Sequence, residues 1–330
     1  MKIYLAPMEG ITGWGYRKAF QKHFGQIDQY MTPFLSPGSF KGFTHRQIQE
    51  ILPENNRGIP VIPQLLTCRS EDFIWAAKEL KQLGYEEVNL NLGCPSGTVT
   101  AKKKGAGFLA YPEELNTFLY QIYEKLDIKI SVKTRLGKED PEEFYRLLQI
   151  YNQYPISELI IHPRVQKEFY KGCPHRDVFG EGAKRSVNPV CYNGDLRSAG
   201  DYNRFREEFP AVEMVMIGRG LIANPFLAWQ LKKDKTAGQS FPNGELELTD
   251  KAAVLKAFHD DLYHHYQETM CGERNVLFRM KELWSYLIQL FQNGEKAGKK
   301  IRKSQNCKEY EEAIAKLFTE NQLQPAMIDR

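Results

Sequence analysis

Several features are missing from the 330-residue sequence, and each absence excludes a class of protein. No apolar run approaches the roughly 20 residues that a transmembrane helix needs, which argues against a membrane protein. Glu9 ends the N-terminal apolar stretch too early for a secretory signal peptide. The six cysteines include no CxxC pair and no zinc-ligand spacing. We therefore expect free thiols, no metal site and a reducing compartment, the cytoplasm.

The sequence also lacks a charge imbalance and a dinucleotide-binding signature. Lys plus Arg number 45 against 41 Asp plus Glu, a net charge of +4 that neither requires nor excludes a nucleic-acid partner. No GxGxxG motif follows a strand candidate, which disfavours a Rossmann-type domain. The composition that remains is that of a globular protein, because 42% of the residues are hydrophobic and can form a core.

Short β-like apolar runs alternate with amphipathic stretches over the first two thirds of the chain. The strand candidates are residues 3–7, 27–34, 59–66, 87–92, 129–134, 158–162, 189–192 and 213–217. Helical patterns between them include residues 14–24, 71–83, 112–126, 141–151 and 199–209. This alternation predicts a (β/α)8 (TIM) barrel, with a doubly wound open sheet as the alternative. Polar residues at the ends of most strand candidates favour the barrel, since barrel active sites lie there.

The pattern changes after the eighth strand candidate. Residues 236–248 lack periodicity and contain Gly, Pro and Asn, which predicts a linker between a barrel domain at 1–235 and a second domain at 249–330. Helical patterns at 250–270, 275–291 and 308–318 predict that the second domain is a small helical bundle.

The strongest local motif is NLNLGCPS at residues 89–96. A strand delivers Asn91, Gly93 allows a tight turn, and Pro95 stiffens the exit, so Cys94 is presented at the strand end. A lone cysteine is usually a small buried hydrophobe. This bracketing favours a functional thiol instead.

Two further clusters follow later strands. Lys133 and Arg135 lie on the same side of an extended chain, and cations in a barrel mouth need an anionic or polar partner. The alternative is a surface strand with solvated charges. NGD at 193–195 and IGRG at 217–220 lie where strands seven and eight end, a region that often binds phosphate through backbone N–H groups.

Taken in order, these motifs resemble those of the tRNA-dihydrouridine synthases. The resemblance rests on residues 6–12 (APMEGIT), 63–65 (PQL), 91–95 (NLGCP), 132–137 (VKTRLG), 161–164 (IHPR), 193–195 and 217–220, and more loosely on 279–287 (RMKELWSYL). The chain departs from the family pattern at three positions. Gly13 and Asn89 stand where an acidic residue is frequent, and Pro163 stands where glycine is usual.

The resemblance implies an FMN enzyme that uses NADPH to reduce the C5–C6 bond of a uridine in tRNA. It implies that Cys94 donates the proton to C5 and that Asn91, Arg135 and Tyr170 face the uracil. The residues that it assigns to flavin binding are Pro7, Met8, Gln64, Lys133, His162, Asn193, Asp195, Gly218 and Arg219. A thiol suits the proton donor, since with a reference pKa of about 8.5 it is mostly protonated at neutral pH. The target base must leave its stack to react.

Basic side chains are the candidates for contacts with the RNA backbone, and the expected partner is tRNA, bound by a monomer. The candidates are Lys102, Lys103 and Lys104 after the Cys94 loop, and Arg274, Arg279 and Lys281 in the tail. Residues 296–303 (KAGKKIRK) add five basic residues in eight. The alternative for each cluster is a solvated face, and RNA bound through phosphates predicts a steep dependence on salt.

Two other functions stay open at this point. One is an FMN-dependent dehydrogenase of a free pyrimidine-like molecule, against which the helical tail and the lysine-rich loops argue. The other is a non-catalytic RNA-binding protein that retains the barrel, and the presence of bound flavin separates it from an enzyme.

Overall fold

Nine parallel strands form one sheet in the computed structural model, which describes residues 1–38, 41–233 and 248–325. The strands are β1 (Lys2–Leu5), β2 (Gln29–Met31), β3 (Val61–Ile62), β4 (Gln64–Leu65), β5 (Glu87–Leu92), β6 (Lys129–Arg135), β7 (Leu159–His162), β8 (Val190–Tyr192) and β9 (Met214–Ile217). Their order in the sheet is β3-β2-β1-β9-β8-β7-β6-β5-β4. Each of the eight predicted strands overlaps an observed one.

The two ends of the sheet are halves of a single strand. Pro63 separates β3 from β4 because proline has no N–H to donate to the ladder. Leu35, just beyond β2, bridges to Leu65 in parallel, and its N–H donates to the Gln64 carbonyl at 2.7 Å. The sheet therefore meets itself at this strand. It forms an eight-stranded barrel, which confirms the predicted barrel over the open sheet.

Helices follow most strands. They are α1 (Trp14–His23), α2 (His45–Ile51), α3 (Ser70–Gln82), α4 (Gly97–Thr100), α5 (Pro112–Lys125), α6 (Glu143–Tyr151), α7 (Arg176–Arg185), α8 (Ala199–Glu208), α9 (Arg219–Ala223), α10 (Leu227–Lys233), α11 (Leu248–Thr269), α12 (Glu273–Leu287), α13 (Gly294–Lys303) and α14 (Cys307–Glu320). Three short 3-10 helices lie at Gly105–Ala110, Gln166–Glu168 and Ile288–Leu290. Within the described residues, no helix is both long and apolar enough to span a membrane.

The chain divides into two compact units, and the first contains the sheet apart from Ile217. This unit consists of Met1–Pro7, Asp28–Asp195 and Arg206–Met216. Its barrel interior is filled by a cluster of buried side chains: Tyr4, Ala6, Met31, Ile62, Ile160, Cys191 and Met216. One member of this cluster, Ile160, is the register partner of Lys133, so the apolar core reaches the level of the polar residues near the strand ends.

The second unit consists of Met8–Ile27, Leu196–Phe205 and Ile217–Arg330, so it includes the predicted helical bundle. Helices α11, α12 and α14 confirm the three predicted helices of the tail, and α13 is an additional one. The predicted linker lies outside the described residues except for Leu248, where α11 begins. The division into domains at residues 235 and 249 stays a prediction.

Candidate active site at the carboxyl ends of the strands

The backbone that presents Cys94 is held by the side chain of Asn91. Its Oδ1 accepts hydrogen bonds from the N–H groups of Gly93 and Cys94, both at 3.0 Å. Its Nδ2 donates to Oε1 of Gln64 at 2.7 Å. Three residues predicted for the site, Gln64, Asn91 and Cys94, are thus brought together where β4 and β5 end.

The loop that follows Cys94 packs back against it. The N–H of Ala106 donates to the Cys94 carbonyl at 3.0 Å, in a turn that is buried from Gly105 to Leu109. Gly105 has a φ of +56°, and a Cβ there would lie 2.7 Å from the Cys94 carbonyl oxygen, so only glycine fits. The Cys94 backbone is therefore held on both sides, while its thiol is half-buried and makes no disulfide.

Lys133 and Arg135 lie beside this loop on the next strand. Lys133 is the register partner of Asn91, and Arg135 is the register partner of His162. Arg135 is buried, and its Nε donates to the Gly93 carbonyl at 2.8 Å. The predicted juxtaposition of the two cations with the Cys94 loop is therefore what the register of β5, β6 and β7 produces.

The surroundings of Lys133 and Arg135 disfavour their positive charges and lower both pKa values. Burial, together with the charge of Arg135, lowers the pKa of Lys133 to about 8. Burial also lowers the pKa of Arg135 to about 10. Within the described residues, the Lys133 ammonium has no hydrogen bond or ion pair. A half-buried lysine beside a buried arginine fits an anionic or carbonyl-rich group, such as the pyrimidine side of a flavin.

A buried arginine that the sequence analysis did not assign to the site connects two residues that it did. Arg164 Nη2 donates to Oδ2 of Asp195 at 2.7 Å, and Nη1 lies 3.2 Å from Nε2 of His162. A guanidinium only donates, so Nε2 of His162 accepts and the neutral ring carries its proton on Nδ1. The signal in the sequence was the IHPR motif, because residues 162 and 164 share one side of an extended chain.

Tyr170 lies on a loop that Arg164 also holds, by donating to the carbonyls of Lys171 and Gly172 at 3.0 and 2.6 Å. The Tyr170 ring is 56% exposed. Its centroid lies 5.4 Å from the Arg135 guanidinium carbon and 6.1 Å from the centroid of the His162 ring. The first unit thus brings Arg135, His162 and Tyr170 together and leaves one aromatic ring accessible.

The remaining predicted flavin residues fall in both units. In the first unit, Pro7 follows β1, and Asn193 donates from Nδ2 to the Met216 carbonyl at 2.8 Å. Met8, Gly218 and Arg219 belong to the second unit. Their predicted roles at the flavin stay predictions. Groups of three His, Cys, Asp or Glu residues able to hold a metal ion do not occur in the described part of the chain.

The three predicted lysines after the Cys94 loop differ in what they contact. Lys103 Nζ lies 3.2 Å from a Glu114 carboxylate oxygen. Lys104 Nζ donates to the Ser36 hydroxyl at 2.9 Å. Lys102 is exposed, and its ammonium has no partner within the described residues. Lys102 is accordingly the best placed of the three to bind an external phosphate.

The predicted basic residues of the tail differ in the same way. Arg279 Nη1 donates to the Gly10 carbonyl at 2.7 Å, and Lys281 Nζ donates to the Ser304 carbonyl. Both therefore hold the second unit together. Arg274 is exposed near the start of α12, and the five basic residues of α13 are exposed as well. None of these five pairs with a carboxylate in the part of the chain that the structure describes.

A barrel of eight parallel strands, with polar side chains gathered at their carboxyl ends, defines a (β/α)8-barrel enzyme. The model of the dihydrouridine synthase family matches residues 4–322, and the chain therefore belongs to that family. This confirms the resemblance, and it disfavours the free small-molecule dehydrogenase because the match continues through the helical tail.

Curated relatives are similar over two thirds or more of the chain. A tRNA-dihydrouridine(16) synthase of Pseudomonas syringae pv. tomato is 30% identical over 75% of this chain and 80% of its own length. A tRNA-dihydrouridine(16) synthase of Aquipseudomonas alcaligenes is 26% identical over 96% of this chain and 99% of its own. A tRNA-dihydrouridine synthase B of Pasteurella multocida is 26% identical over 68% of this chain and 67% of its own length.

Solved structures share the fold at low sequence identity. Histamine dehydrogenase from Rhizobium sp. 4-9 aligns with a TM-score of 0.52 at 10% identity, over 79% of this chain and 49% of its own. The old yellow enzyme homologue from Zymomonas mobilis aligns with a TM-score of 0.51 at 10% identity, over 73% of this chain and 91% of its own. At this identity the likeness concerns the barrel fold alone.

Proposed function

We propose that the protein functions as a tRNA-dihydrouridine synthase that reduces the C5–C6 bond of a uridine with FMN and NADPH. The observation that carries the proposal is the juxtaposition of Cys94, held by Asn91, with Lys133 on the neighbouring strand, a cation that has no ion-pair partner among the described residues. A thiol beside a site for an anionic cofactor provides both a proton source and a place for an electron donor. Family membership and the tRNA-specific names of the relatives support the same reaction.

The flavin would lie over the carboxyl ends of the strands. Lys133 suits its pyrimidine side, and Gln64 and His162 suit hydrogen bonds to the ring. The proposed contacts to the ring face and to the ribityl phosphate are Pro7, Met8, Asn193, Asp195, Gly218 and Arg219. When bound, the flavin supplies the hydride that C6 of the uracil accepts, and NADPH supplies the electrons that return the flavin to its reduced form.

The protein residues supply the proton and the binding of the base. Cys94 holds the proton that C5 receives after hydride arrives at C6. Asn91 already accepts two backbone hydrogen bonds, so it contacts uracil through its remaining Nδ2 hydrogen. Arg135 stabilises the charge that develops at the uracil carbonyl, and the exposed Tyr170 ring offers a surface for the extruded base.

The test of the proton donor is Cys94→Ala. The variant is expected to bind yellow flavin and to be reduced by NADPH at the normal rate, yet to lose dihydrouridine formation by at least about 100-fold, as removal of a general acid does. Flavin reduction is followed by absorbance, and dihydrouridine by nucleoside mass spectrometry.

Cys173→Ala is the matched control, because Cys173 is an exposed thiol of the same unit. It should keep full activity. Wild-type product formation by Cys94→Ala would refute the role of the thiol, and purified wild-type protein without flavin would refute the proposed enzyme.

The target site and the cellular setting are part of the same proposal. The names of the two pseudomonad relatives specify position 16 of tRNA, so mapping of dihydrouridine in tRNA from a deletion strain starts there. We also propose that the protein acts in the cytoplasm as a monomer, which size-exclusion chromatography with light scattering would check.

A further inference from the structure

Four buried polar side chains form one hydrogen-bonded chain beneath the Cys94 loop. It begins at Asn91 and continues through Gln64, whose Nε2 donates to Oδ1 of Asn89 at 2.8 Å. Nδ2 of Asn89 then donates to Oγ of Ser131 at 3.0 Å. Neither Asn89 nor Ser131 was assigned to the site.

Three of these side chains lie at one level of the barrel wall. Gln64 is the register partner of Asn89, and Asn89 is the register partner of Ser131, so β4, β5 and β6 each contribute one residue. Asn89 has no exposed surface, and Gln64 and Ser131 are each 1% exposed. Water cannot replace these partners, so a broken link leaves a buried polar group unsatisfied.

The donor-to-acceptor direction of this hydrogen-bonded series of side chains is fixed at Asn91. Oδ1 of Asn91 must face the N–H groups of Gly93 and Cys94, because an amide NH₂ there would oppose two donors. The Asn91 NH₂ therefore meets Oε1 of Gln64, and the Gln64 NH₂ meets Asn89. Each amide has one orientation that satisfies its neighbours, and all four side chains depend on one another.

We propose that Asn89 and Ser131 are positioning residues that hold Gln64 and Asn91 in a single amide orientation and thereby fix the backbone of Cys94. Through Gln64 the chain presents one amide arrangement to the flavin, and through Asn91 it sets the loop that carries the thiol. The consequence for flavin rests on the proposed function, whereas the consequence for the loop does not.

The first measurement is the alkylation rate of Cys94 by iodoacetamide in flavin-free protein, read by peptide mass spectrometry. Cys271, an exposed thiol in the second unit, is the internal reference. Asn89→Leu removes both links of residue 89 at similar volume, and it is expected to release Asn91 and accelerate Cys94 alkylation at least about threefold. Asn89→Asp keeps the acceptor for Gln64 and should react like wild type.

Thr134→Val is the matched control. Thr134 lies on β6 and shares a hydrogen bond of 3.0 Å with the Tyr151 hydroxyl, on the side opposite to Ser131. It removes a buried hydroxyl without touching the chain of amides, so Cys94 should react at the wild-type rate. If Asn89→Leu fails to fold, Ser131→Ala takes its place, since it removes only the last acceptor.

The second measurement is the affinity of the apoprotein for FMN, from quenching of flavin fluorescence. Asn89→Leu is expected to raise the Kd about tenfold, and Thr134→Val less than about twofold. If Cys94 reactivity and FMN affinity in Asn89→Leu and Ser131→Ala match those of Thr134→Val, the positioning role is overturned. If wild-type protein binds no FMN but Cys94 reactivity changes as expected, the proposed function fails while the positioning role stands.

Discussion

Lys133 shows at the scale of a residue how a functional site opposes stability. Its ammonium lies next to Arg135 at the end of a buried strand, and both burial and that neighbour disfavour its charge. Such a cation costs folding free energy until an anion binds. A bound anionic ligand would relieve this cost, and in the proposed function that ligand is the flavin.

Replacing Lys133 tests this conflict. The folded-state pKa is lowered to about 8 from 10.5, so below pH 8 both states carry the charge and only the folded state bears its cost. Between these two values the folded state releases the proton and the cost disappears as pH rises. Lys133→Met should therefore stabilise flavin-free protein on the order of 1–3 kcal/mol near neutral pH, with less gain near pH 10, while weakening FMN binding.

Thermal unfolding at both pH values measures this effect. Lys129→Met, at the exposed start of the same strand, is the control and should change little. A Lys133→Met protein that is less stable than wild type near neutral pH would contradict the interpretation of Lys133 as a strained cation.

The sequence indicates individual site residues where the chemistry is local. Cys94 follows β5, and Lys133 and Arg135 lie two residues apart at the end of β6, which favours one common site. The partners of Lys103 and Lys104 were not predictable, because Glu114 lies on α5 and Ser36 follows β2, both away from the Cys94 loop in the sequence. Asn89 and Arg164 were missed for the same reason, since their importance comes from hydrogen bonds across strands.

At the scale of elements, apolar patterning decided which parts of the chain could be predicted. Strand β5 was predicted to the residue because Val88, Leu90 and Leu92 alternate with polar residues at the two-residue period of a strand. Helix α7 was missed since Gly180 and Gly182 weaken its helical pattern. Helix α13 was seen only as a basic cluster, because Ile301 is its single large buried side chain.

The exposed charge of α13 makes it the element best suited to contact RNA. Lys296 and Lys300 lie one turn apart on the helix, exposed and without carboxylate partners in the described residues. Changing both to Gln should weaken tRNA binding about tenfold at low salt. The slope of log Kd against log salt concentration should also fall, by the amount expected for the loss of about two phosphate contacts. Filter binding over a range of salt concentrations measures both quantities.

Lys78→Gln with Lys125→Gln is the matched control, since both are exposed lysines on α3 and α5. Equal losses in the two double variants would assign the effect to net charge, and α13 would then have no specific part in binding.

At the scale of the whole molecule, the two compact units do not follow the order of the chain. The sequence predicted a barrel followed by a bundle, since hydrophobic patterns report neighbours along the chain. The second unit nevertheless recruits Met8–Ile27, the segment between β1 and β2. Arg279 and Gly10 join it to the tail helices through a hydrogen bond of 2.7 Å. The proposed flavin residue Met8 therefore belongs to the same unit as the helices proposed to bind RNA.

Within the second unit, α11 packs against α1, so we expect the tail to stabilise the segment Met8–Ile27. Phe258 of α11 has no exposed surface, and its ring centroid lies 5.6 and 6.4 Å from those of Tyr16 and Phe20 on α1, and 5.1 Å from that of Phe24, which follows α1. Phe258→Ala should lower the free energy of unfolding by about 3–5 kcal/mol, because a cavity opens among rings that cannot collapse onto it. Phe278→Ala, at a phenylalanine that is 64% exposed, should cost less than about 0.5 kcal/mol. Urea titration of both full-length variants measures their free energies of unfolding. Equal values would mean that Phe258 does not stabilise α1 and that α1 folds independently of the tail helices.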